Sequence, residues 1–300
     1  MFYMTAALKT KPTTGDRLLA IAVYAIIIAF ALACLIPFWL VFLNSFAEES
    51  VLQTEGYKLW IDSFHLDAYR FVLAGKQVAK SYGVTVFVTV VGTASALLLT
   101  STYAYVLSHR RVKYRNVLSF LTYFTMIFGA GLVGFYMLMV SWLHLKDSIW
   151  AMILPYLLNP FYAFILVAFF RNLPYEIYES ATVDGVGDFR IFFRIVWPIS
   201  TPALATVGLF YALQFWNDWW LSLLFIDDRD LHSLQMMIRQ LMSSVSAASY
   251  VGGGTAYVSQ PPTEGVKLAT VCLTIGPIVL LYPYVQRHFV QGLTIGAVKG

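Results

Sequence analysis

Long hydrophobic runs with almost no charged residues alternate with polar segments along the sequence, and six of these runs approach or exceed about 20 residues. An α-helix of that length crosses the hydrocarbon core of a bilayer. We therefore predict an all-α polytopic membrane protein with six transmembrane helices, at residues 18–47, 81–108, 116–143, 148–170, 201–225 and 268–286. Pro155, Asn159 and Pro160 predict a bend in the fourth helix, and Gly276-Pro277 predicts a break in the sixth.

The composition agrees with this pattern. Of the 300 residues, 59% are hydrophobic and 12% are charged, whereas a soluble domain carries about 25% charged residues. The first run is longer than the core of a signal peptide and lacks a convincing cleavage site, so we expect it to remain in the protein. Cys34 and Cys272 lie in apolar runs and are interpreted as small hydrophobic side chains, without a disulfide or a metal site.

The most polar interruption, residues 171–200, lies between the fourth and fifth hydrophobic runs. It carries Glu176, Glu179, Asp184, Asp188, Arg190 and Arg194. Charges are costly in hydrocarbon, so this segment must lie in water. We predict a helix at 175–183 and a second at 189–196, joined by a turn at Asp184-Gly185. Asp188 should cap the second helix and Pro198 should end it.

Two helices joined at a glycine suit docking into a partner protein. The alternative is an amphipathic segment that rests on the bilayer surface. Residues 171–200 hold four acidic and three basic side chains, and this balance argues against adsorption to anionic lipid.

The distribution of loop charge predicts the orientation. The side of the membrane that holds both termini and the 109–115 and 171–200 loops carries 12 of the 20 Lys and Arg residues but only 5 of the 16 acidic ones. Basic residues accumulate on the cytoplasmic side of membrane proteins. We therefore expect a multi-pass protein of the bacterial inner membrane, with both termini and the 171–200 loop in the cytoplasm.

The 171–200 loop resembles the EAA loop of the permeases of bacterial ABC importers. The family pattern is Glu-Ala-Ala, a short gap, Asp-Gly-Ala, then Ile-x-Leu-Pro, and this sequence has Glu179-Ser180-Ala181, Asp184-Gly185-Val186 and Ile195-Val196-Trp197-Pro198. Ser180, Val186 and Trp197 depart from the pattern. The resemblance implies the type I importer permease fold and a loop that docks on an ATPase through Glu179, Ala181, Asp184 and Gly185.

Two further segments resemble the carbohydrate importer permeases within that family. One is Trp216-Asn217-Asp218, and the other is the closing segment 286–300, which implies that Gly292, Gly296 and Lys299 contact the ATPase. Residues 261–267 and Tyr282-Pro283 resemble a subgroup that imports larger oligosaccharides and polysaccharides, including alginate. The resemblance divides the chain into an N-terminal tail (1–17), a first helix with an outer loop (18–81), a permease core (82–287) and a C-terminal tail (288–300).

The family resemblance also implies the partners. These are a homologous second permease that forms a heterodimer, two ATP-binding subunits, an extracytoplasmic solute-binding protein, a carbohydrate and the lipid bilayer, but no nucleic acid. No cofactor is expected in this chain, since ATP and Mg would bind to the ATPase. Gly75-Lys76 is followed by Gln77 where a phosphate-binding loop needs Ser or Thr, so we expect a protein that is not itself an enzyme.

Three alternatives stay open at this point: a permease for a solute other than sugar, an ion-coupled carrier and a membrane-embedded enzyme. A carrier needs charged coupling sites within the membrane, and Asp218 is nearly alone there. An enzyme needs a catalytic constellation, and none is visible.

A polar and aromatic group inside the fifth run is a candidate sugar path: Gln214, Trp216, Asn217 and Asp218. Aromatic faces and amide or carboxylate groups are what sugar rings and hydroxyls bind. The alternatives are an aromatic anchor at the membrane interface and a packing contact between the two permeases. An ionised Asp218 would repel an acidic sugar, which favours Asn217 and Trp216 as the contacts.

Overall fold

The computed structural model describes residues 14–129, 131–251, 264–276 and 279, and within this part of the chain all regular structure is helical. The α-helices are α1 (Thr14–Asn44), α2 (Glu49–Thr54), α3 (Asp67–Ala74), α4 (Lys76–Ser108), α5 (Arg115–Ile127), α6 (Gly131–Met137), α7 (Pro160–Arg171), α8 (Glu176–Val183), α9 (Asp188–Ile191), α10 (Trp197–Ile199), α11 (Thr201–Trp216), α12 (Trp220–Phe225), α13 (Leu234–Val251) and α14 (residues 264–276). Shorter 3₁₀ and π-helical turns lie at Leu138–Trp142, Ile149–Met152, Leu154–Tyr156, Phe192–Val196 and Arg229–Leu231.

The chain forms two units, of which the first comprises residues 1–68 and 261–272. Its main element is α1, and residues 15–39 of this helix are exposed on every side although they are almost all apolar. A helix that is hydrophobic around its whole circumference belongs in a core or a membrane. Both its length and its composition suit a transmembrane helix, as predicted for the first run, with Pro37 inside it.

Hydrogen bonds organise the polar loop that follows α1. The buried Asn44 amide donates to the carbonyl oxygens of Leu40 and Lys58, both at 2.8 Å, and its Oδ1 accepts the Lys58 N–H at 2.9 Å. The Glu49 carboxylate accepts the N–H groups of Glu264 (3.0 Å) and Gly265 (2.9 Å) at the start of α14. A carboxylate at a helix N-terminus satisfies free donors and complements the helix dipole. Glu49 therefore caps the beginning of α14.

The second unit, residues 69–260 and 273–300, is built on α4, α7 and α11. Its core contains Leu107, Leu166 and Tyr211, which are all fully buried. The Tyr211 hydroxyl lies 2.6 Å from Thr100 Oγ1 and accepts the Asn159 N–H at 2.9 Å. Asn159 belongs to the break before α7, so this buried tyrosine supplies a partner for backbone that the helix leaves unpaired.

The predicted bend in the fourth run is confirmed. The segments Ile149–Tyr156 and Pro160–Arg171 meet at 45°. Asn159 Oδ1 accepts the N–H groups of Phe161 (2.9 Å) and Tyr162 (3.4 Å), and Pro160 occupies the first turn, where its missing N–H costs nothing.

Three other predictions from the hydrophobic runs need correction. The third run is not one helix, because α5 ends at Ile127 and α6 begins at Gly131, whose φ is +72°. The fifth run is not one helix either, because α11 ends at Trp216 and α12 begins only at Trp220. The segment between the fifth and sixth runs, where the hydrophobic pattern predicts no helix, contains α13, an 18-residue helix. In the sixth run the described helix covers residues 264–276, and the predicted break at Gly276-Pro277 lies at the edge of the described residues.

The contact between α4 and α11 depends on Gly92. A β-carbon at this position would lie 2.8 Å from the Phe215 ring, and Phe215 is itself buried. We expect Gly92→Ala to lower the free energy of unfolding by about 1–3 kcal/mol, since the ring must leave its place in a packed core. The matched control is Gly83→Ala on the same helix, where a β-carbon meets nothing within 4 Å and where alanine should stabilise by up to about 1 kcal/mol. Thermal unfolding in detergent compares the two variants. Equal melting temperatures would show that α4 and α11 tolerate the extra carbon.

Candidate functional site

The polar segment 174–199 folds as a bent helical pair, which we call the elbow. Its first helix, α8, ends in a turn that requires a left-handed residue. Gly185 has φ +74°, the Gly185 N–H donates to Thr182 O at 3.0 Å, and the Val186 N–H donates to Ala181 O at 3.0 Å. This pair of bonds is the Schellman motif, in which glycine avoids the strain that a β-carbon brings to positive φ. The predicted glycine turn is thus confirmed.

The second half of the elbow differs from the prediction. Gly187 precedes α9, Asp188 is its first residue, and no side chain caps its start. After Ile191 the backbone widens into a π-helical turn (Phe192–Val196) and continues helically through Pro198 to Ile199. Pro198 does not end the helix, because it lies in the first turn of the new segment, where its missing N–H is tolerated.

The inner face of the elbow packs on the core of the second unit. Tyr178 and Ala181 of α8 are buried, as are Ile191 and Phe192 of the second half. Rings meet across this contact: the Phe192 centroid lies 5.0 Å from that of Tyr105 in α4. The inner face of the elbow therefore packs against the end of α4.

The outer face presents unpaired groups. The Glu179 and Asp184 side chains are exposed, and neither carboxylate has an ion pair or hydrogen bond among the described residues. Two apolar side chains of the elbow are also strongly exposed, Val183 at 86% and Phe189 at 75%. A β-carbon at Gly185 would meet nothing within 4 Å, so the space above this turn is open. Exposed apolar side chains on an otherwise polar surface are typical of a protein contact.

Of the four predicted docking residues, Glu179, Asp184 and Gly185 share this outer face, whereas Ala181 lies inside. Its methyl group is buried against the core, and its carbonyl accepts the Val186 N–H of the turn. Ala181 therefore supports the elbow from within.

The predicted sugar path divides into buried and exposed groups. Trp216 is buried, its Nε1–H donates to Thr274 O at 3.2 Å, and its ring meets Tyr82 edge-on at 5.8 Å. The Asp218 carboxylate accepts the Tyr156 hydroxyl at 2.9 Å and the Leu221 N–H at 3.2 Å. These contacts hold the break between α11 and α12 together. Both Trp216 and Asp218 thus have their polar groups bonded within the chain, and their contact with a sugar stays a prediction.

A small surface joins the end of α11 to α13, and we call it the Trp–Arg cluster: the exposed Asn217 and Arg239 with the half-buried Trp219 and Gln235. Gln235 Nε2 donates to Asn217 Oδ1 at 3.4 Å, and the Arg239 guanidinium lies 3.8 Å from the centroid of the Trp219 ring. Gln235 and Arg239 are four positions apart, so they lie on the same face of α13. Arg239 forms no ion pair within the described residues. A cation on an aromatic face beside two amides can bind an acidic group and a sugar hydroxyl together.

Sequence reasoning identified Asn217 in this cluster but missed Gln235 and Arg239, because their segment was assigned to a loop. Gln214, also predicted in the path, is half-buried on α11, and its Oε1 has no hydrogen-bond partner among the described residues. The predicted tail contacts, Gly292, Gly296 and Lys299, lie outside the described residues. Within the described part of the chain, no group of three His, Cys, Asp or Glu side chains is arranged to hold a metal ion.

Comparison with known proteins places the chain in a wider context. The family model for the binding-protein-dependent transport system inner membrane component matches residues 92–295. The chain is similar to Protein LplC of Bacillus subtilis (strain 168), at 41% identity over 89% of this chain and 90% of that protein. It is also similar to the polygalacturonan/rhamnogalacturonan transport system permease protein YtcP of the same strain, at 39% identity over 95% of this chain and 99% of that protein.

One solved structure is similar along nearly the whole chain. It is a crystal structure of a bacterial ABC transporter involved in the import of the acidic polysaccharide alginate. The TM-score is 0.81 at 26% sequence identity, and the match covers 92% of this chain and 98% of that one.

Proposed function

This chain belongs to the family of binding-protein-dependent transport system inner membrane components, and from that membership we propose that it is the permease subunit of an ATP-driven importer for an acidic oligosaccharide or polysaccharide. The family is the membrane component of such systems, so partner subunits and a binding protein follow from membership. The 171–200 loop predicts a permease of an ABC importer, and the family match confirms this prediction.

The elbow is the observation that carries the proposal. It is fixed to the core on one face and presents two unpaired carboxylates, two exposed apolar side chains and open space on the other. A segment that is packed on the core and has unpaired polar groups on its outer face can transmit the movement of a bound partner to the transmembrane helices. We propose that each of two cytoplasmic ATPases, which hold ATP and Mg, grips one permease at this elbow. The second permease is a homologous chain, and a solute-binding protein delivers the sugar from outside.

The orientation of the chain follows from its charge. Basic residues are concentrated in the loops on the elbow side, so we place the elbow and both termini in the cytoplasm of a bacterial cell. The Trp–Arg cluster, which lies after α11 and on α13, then faces the outer side of the inner membrane. The tail residues Gly292, Gly296 and Lys299 remain predicted ATPase contacts.

Two observations support an acidic substrate. Relatives of this chain are named for polygalacturonan transport and for alginate import, and both of these polymers carry carboxylates. In this chain Arg239 has no acidic partner among the described residues and is held over Trp219. A guanidinium with no carboxylate of its own suits a carboxylate on the substrate.

Uptake by proteoliposomes tests the proposal. This chain is reconstituted with its partner permease, ATPase and binding protein, and the entry of labelled oligogalacturonate and of a neutral oligosaccharide is measured. We expect uptake of the acidic sugar to require ATP on the side of the membrane that holds the elbow. Uptake should stop when this ATP is replaced by a non-hydrolysable analogue. Uptake driven by an ion gradient without ATP would contradict an importer of this class. ATP-driven uptake of the neutral sugar alone would contradict only the acidic substrate.

A further inference from the structure

A polar cavity lies behind the elbow, away from the outer face that we assign to the ATPase. Its volume is about 300 Å³, at the lower end of the range for small-molecule sites. Three arginines line it, Arg110, Arg115 and Arg171, together with Ser108, Asn116 and Tyr175. No acidic side chain is among its lining residues.

The three arginines of this cavity have no salt-bridge partner among the described residues. Arg171 donates to the Leu107 carbonyl at 3.4 Å, and Arg110 lies 5.5 Å from the Tyr175 ring centroid. His109 also lines the cavity, and burial lowers its pKa. The charge of Arg111 lowers this pKa further, whereas the charge of Asp188 raises it. The imidazole is therefore neutral at pH 7, and the positive charge comes from guanidinium groups.

The position of the cavity indicates the source of the counter-charge. α4 ends at Ser108, α5 begins at Arg115 and α7 ends at Arg171, and all three residues line the cavity. The ends of three hydrophobic helices thus meet here, at the level where a bilayer carries its phosphate groups. Basic pockets between transmembrane helices on the cytoplasmic side suit anionic headgroups.

We propose that this cavity, which we call the arginine cavity, binds a phosphate group, supplied by the headgroup of an anionic phospholipid. Arginine presents paired donors that match phosphate oxygens, and three such groups surround one space. Tyr175 and Tyr178 of the elbow also line the cavity. An occupied cavity would therefore brace the elbow from behind, and lipid composition would regulate how well the elbow transmits force. The binding site stands on its own, whereas this regulatory consequence rests on the proposed function.

Native mass spectrometry of the assembled complex tests the site. The complex is purified from nanodiscs that contain phosphatidylglycerol, and the lipid retained per complex is counted. The variant Arg115→Gln/Arg171→Gln removes two cavity charges. The matched control Arg111→Gln/Lys113→Gln removes two charges from the same basic loop, at exposed residues that do not line the cavity. We expect the first variant to need about tenfold or more phosphatidylglycerol for equal retention, and the control to change by about threefold or less.

The single variant Arg115→Gln keeps the test valid if loss of Arg171, which bonds to the end of α4, destabilises the protein. Equal retention by wild type and both cavity variants would overturn the proposal, as would equal loss in the control. A second arm uses phosphatidylcholine nanodiscs with added inorganic phosphate. One outcome is that phosphate alone restores the melting temperature and the protection of the elbow from hydrogen exchange that phosphatidylglycerol gives. The site then binds phosphate, and the proposal that a lipid supplies it is contradicted.

A third arm separates the site from transport. Hydrogen exchange at residues 174–186 should slow with phosphatidylglycerol in wild type but not in the cavity variants. If exchange responds instead only to the presence of the ATPase, a protein carboxylate occupies the cavity and the lipid proposal fails. Neither lipid retention nor exchange requires sugar uptake, so failure of the importer proposal and failure of this site give different results.

Discussion

Gly185→Asp is expected to abolish ATP-driven uptake while the chain remains folded in the membrane. At φ +74° a residue with a β-carbon costs about 1–2 kcal/mol, and aspartate is among the residues that tolerate this region best. A β-carbon there meets no atom of this chain within 4 Å. The substitution is therefore mild for the isolated subunit. Its large effect arises only if a partner approaches the open side of the turn.

Three variants isolate that cause. Gly185→Asn has nearly the same backbone cost without the charge and should keep more activity. Gly187→Asp adds the same charge two residues away at another exposed, open glycine, whose φ is −69°, and should reduce uptake by about threefold or less. Glu179→Lys should weaken ATPase binding by about fivefold, since an exposed ion pair contributes about 1 kcal/mol or less.

The measurements for this series are uptake, sugar-stimulated ATP hydrolysis and the amount of ATPase that co-purifies with the permease. We expect uptake by Gly185→Asp to fall by more than about tenfold, with a change in melting temperature of about 4 °C or less. Wild-type uptake by Gly185→Asp, with the ATPase bound, would end the docking role of this turn. Loss of the protein from the membrane would show that the turn matters for folding instead.

Local chemistry explains which parts of the elbow could be predicted from sequence. The end of α8 depends only on Asp184-Gly185 and the residues before it, so the predicted turn and the first helix agree with the structure to within one residue. The π-helical turn at Phe192–Val196 depends on tertiary packing instead. Phe192 is buried against Tyr105, which lies in another helix, and no sequence period announces such a contact.

The break in the fifth hydrophobic run was hidden for the same reason. Asn217 to Trp219 interrupt the helix because Asp218 accepts hydrogen bonds from Tyr156 and from the first turn of α12, while its carbonyl accepts the Ser233 hydroxyl at 2.9 Å. Tyr156 and Ser233 are distant in sequence. Most of the residues around Asp218 in the sequence are apolar, so the hydropathy pattern predicts one continuous helix. Likewise, Arg239 reaches Trp219 only because α13 folds back toward the end of α11.

Arg239→Gln is expected to raise the sugar concentration needed for half-maximal uptake of an acidic oligosaccharide by about 10- to 150-fold. A hydrogen bond to a charged group contributes about 1.5–3 kcal/mol, which corresponds to this range. The guanidinium is held over the Trp219 ring at 3.8 Å, so it is already positioned before a substrate arrives. Glutamine is shorter than arginine, but it keeps polar N–H donors on the side chain and removes the charge.

The substrate contact is separated from a structural role by matched variants. Arg239→Lys keeps the charge but loses the planar fork, and it should recover part of the affinity. Arg229→Gln removes an exposed arginine near the same surface but outside the Trp–Arg cluster, and it should leave uptake within about threefold of wild type. Asp218→Asn weakens the buried bonds to Tyr156 and Leu221, so it should lower thermal stability and reduce uptake and basal ATP hydrolysis together.

A neutral oligosaccharide completes the test, because it offers no carboxylate to Arg239. Where the complex transports both sugars, Arg239→Gln should reduce affinity for the acidic one and leave the neutral one nearly unchanged, with basal ATP hydrolysis intact. Equal loss for both sugars would place Arg239 in assembly with the second permease. A different outcome is that Arg239→Gln leaves uptake of the acidic sugar unchanged while Gly185→Asp still abolishes it. That result would support the importer function and contradict a role of Arg239 in substrate binding. Asn217→Ala should then leave uptake unchanged as well, since Asn217 accepts a hydrogen bond from Gln235 in the same Trp–Arg cluster.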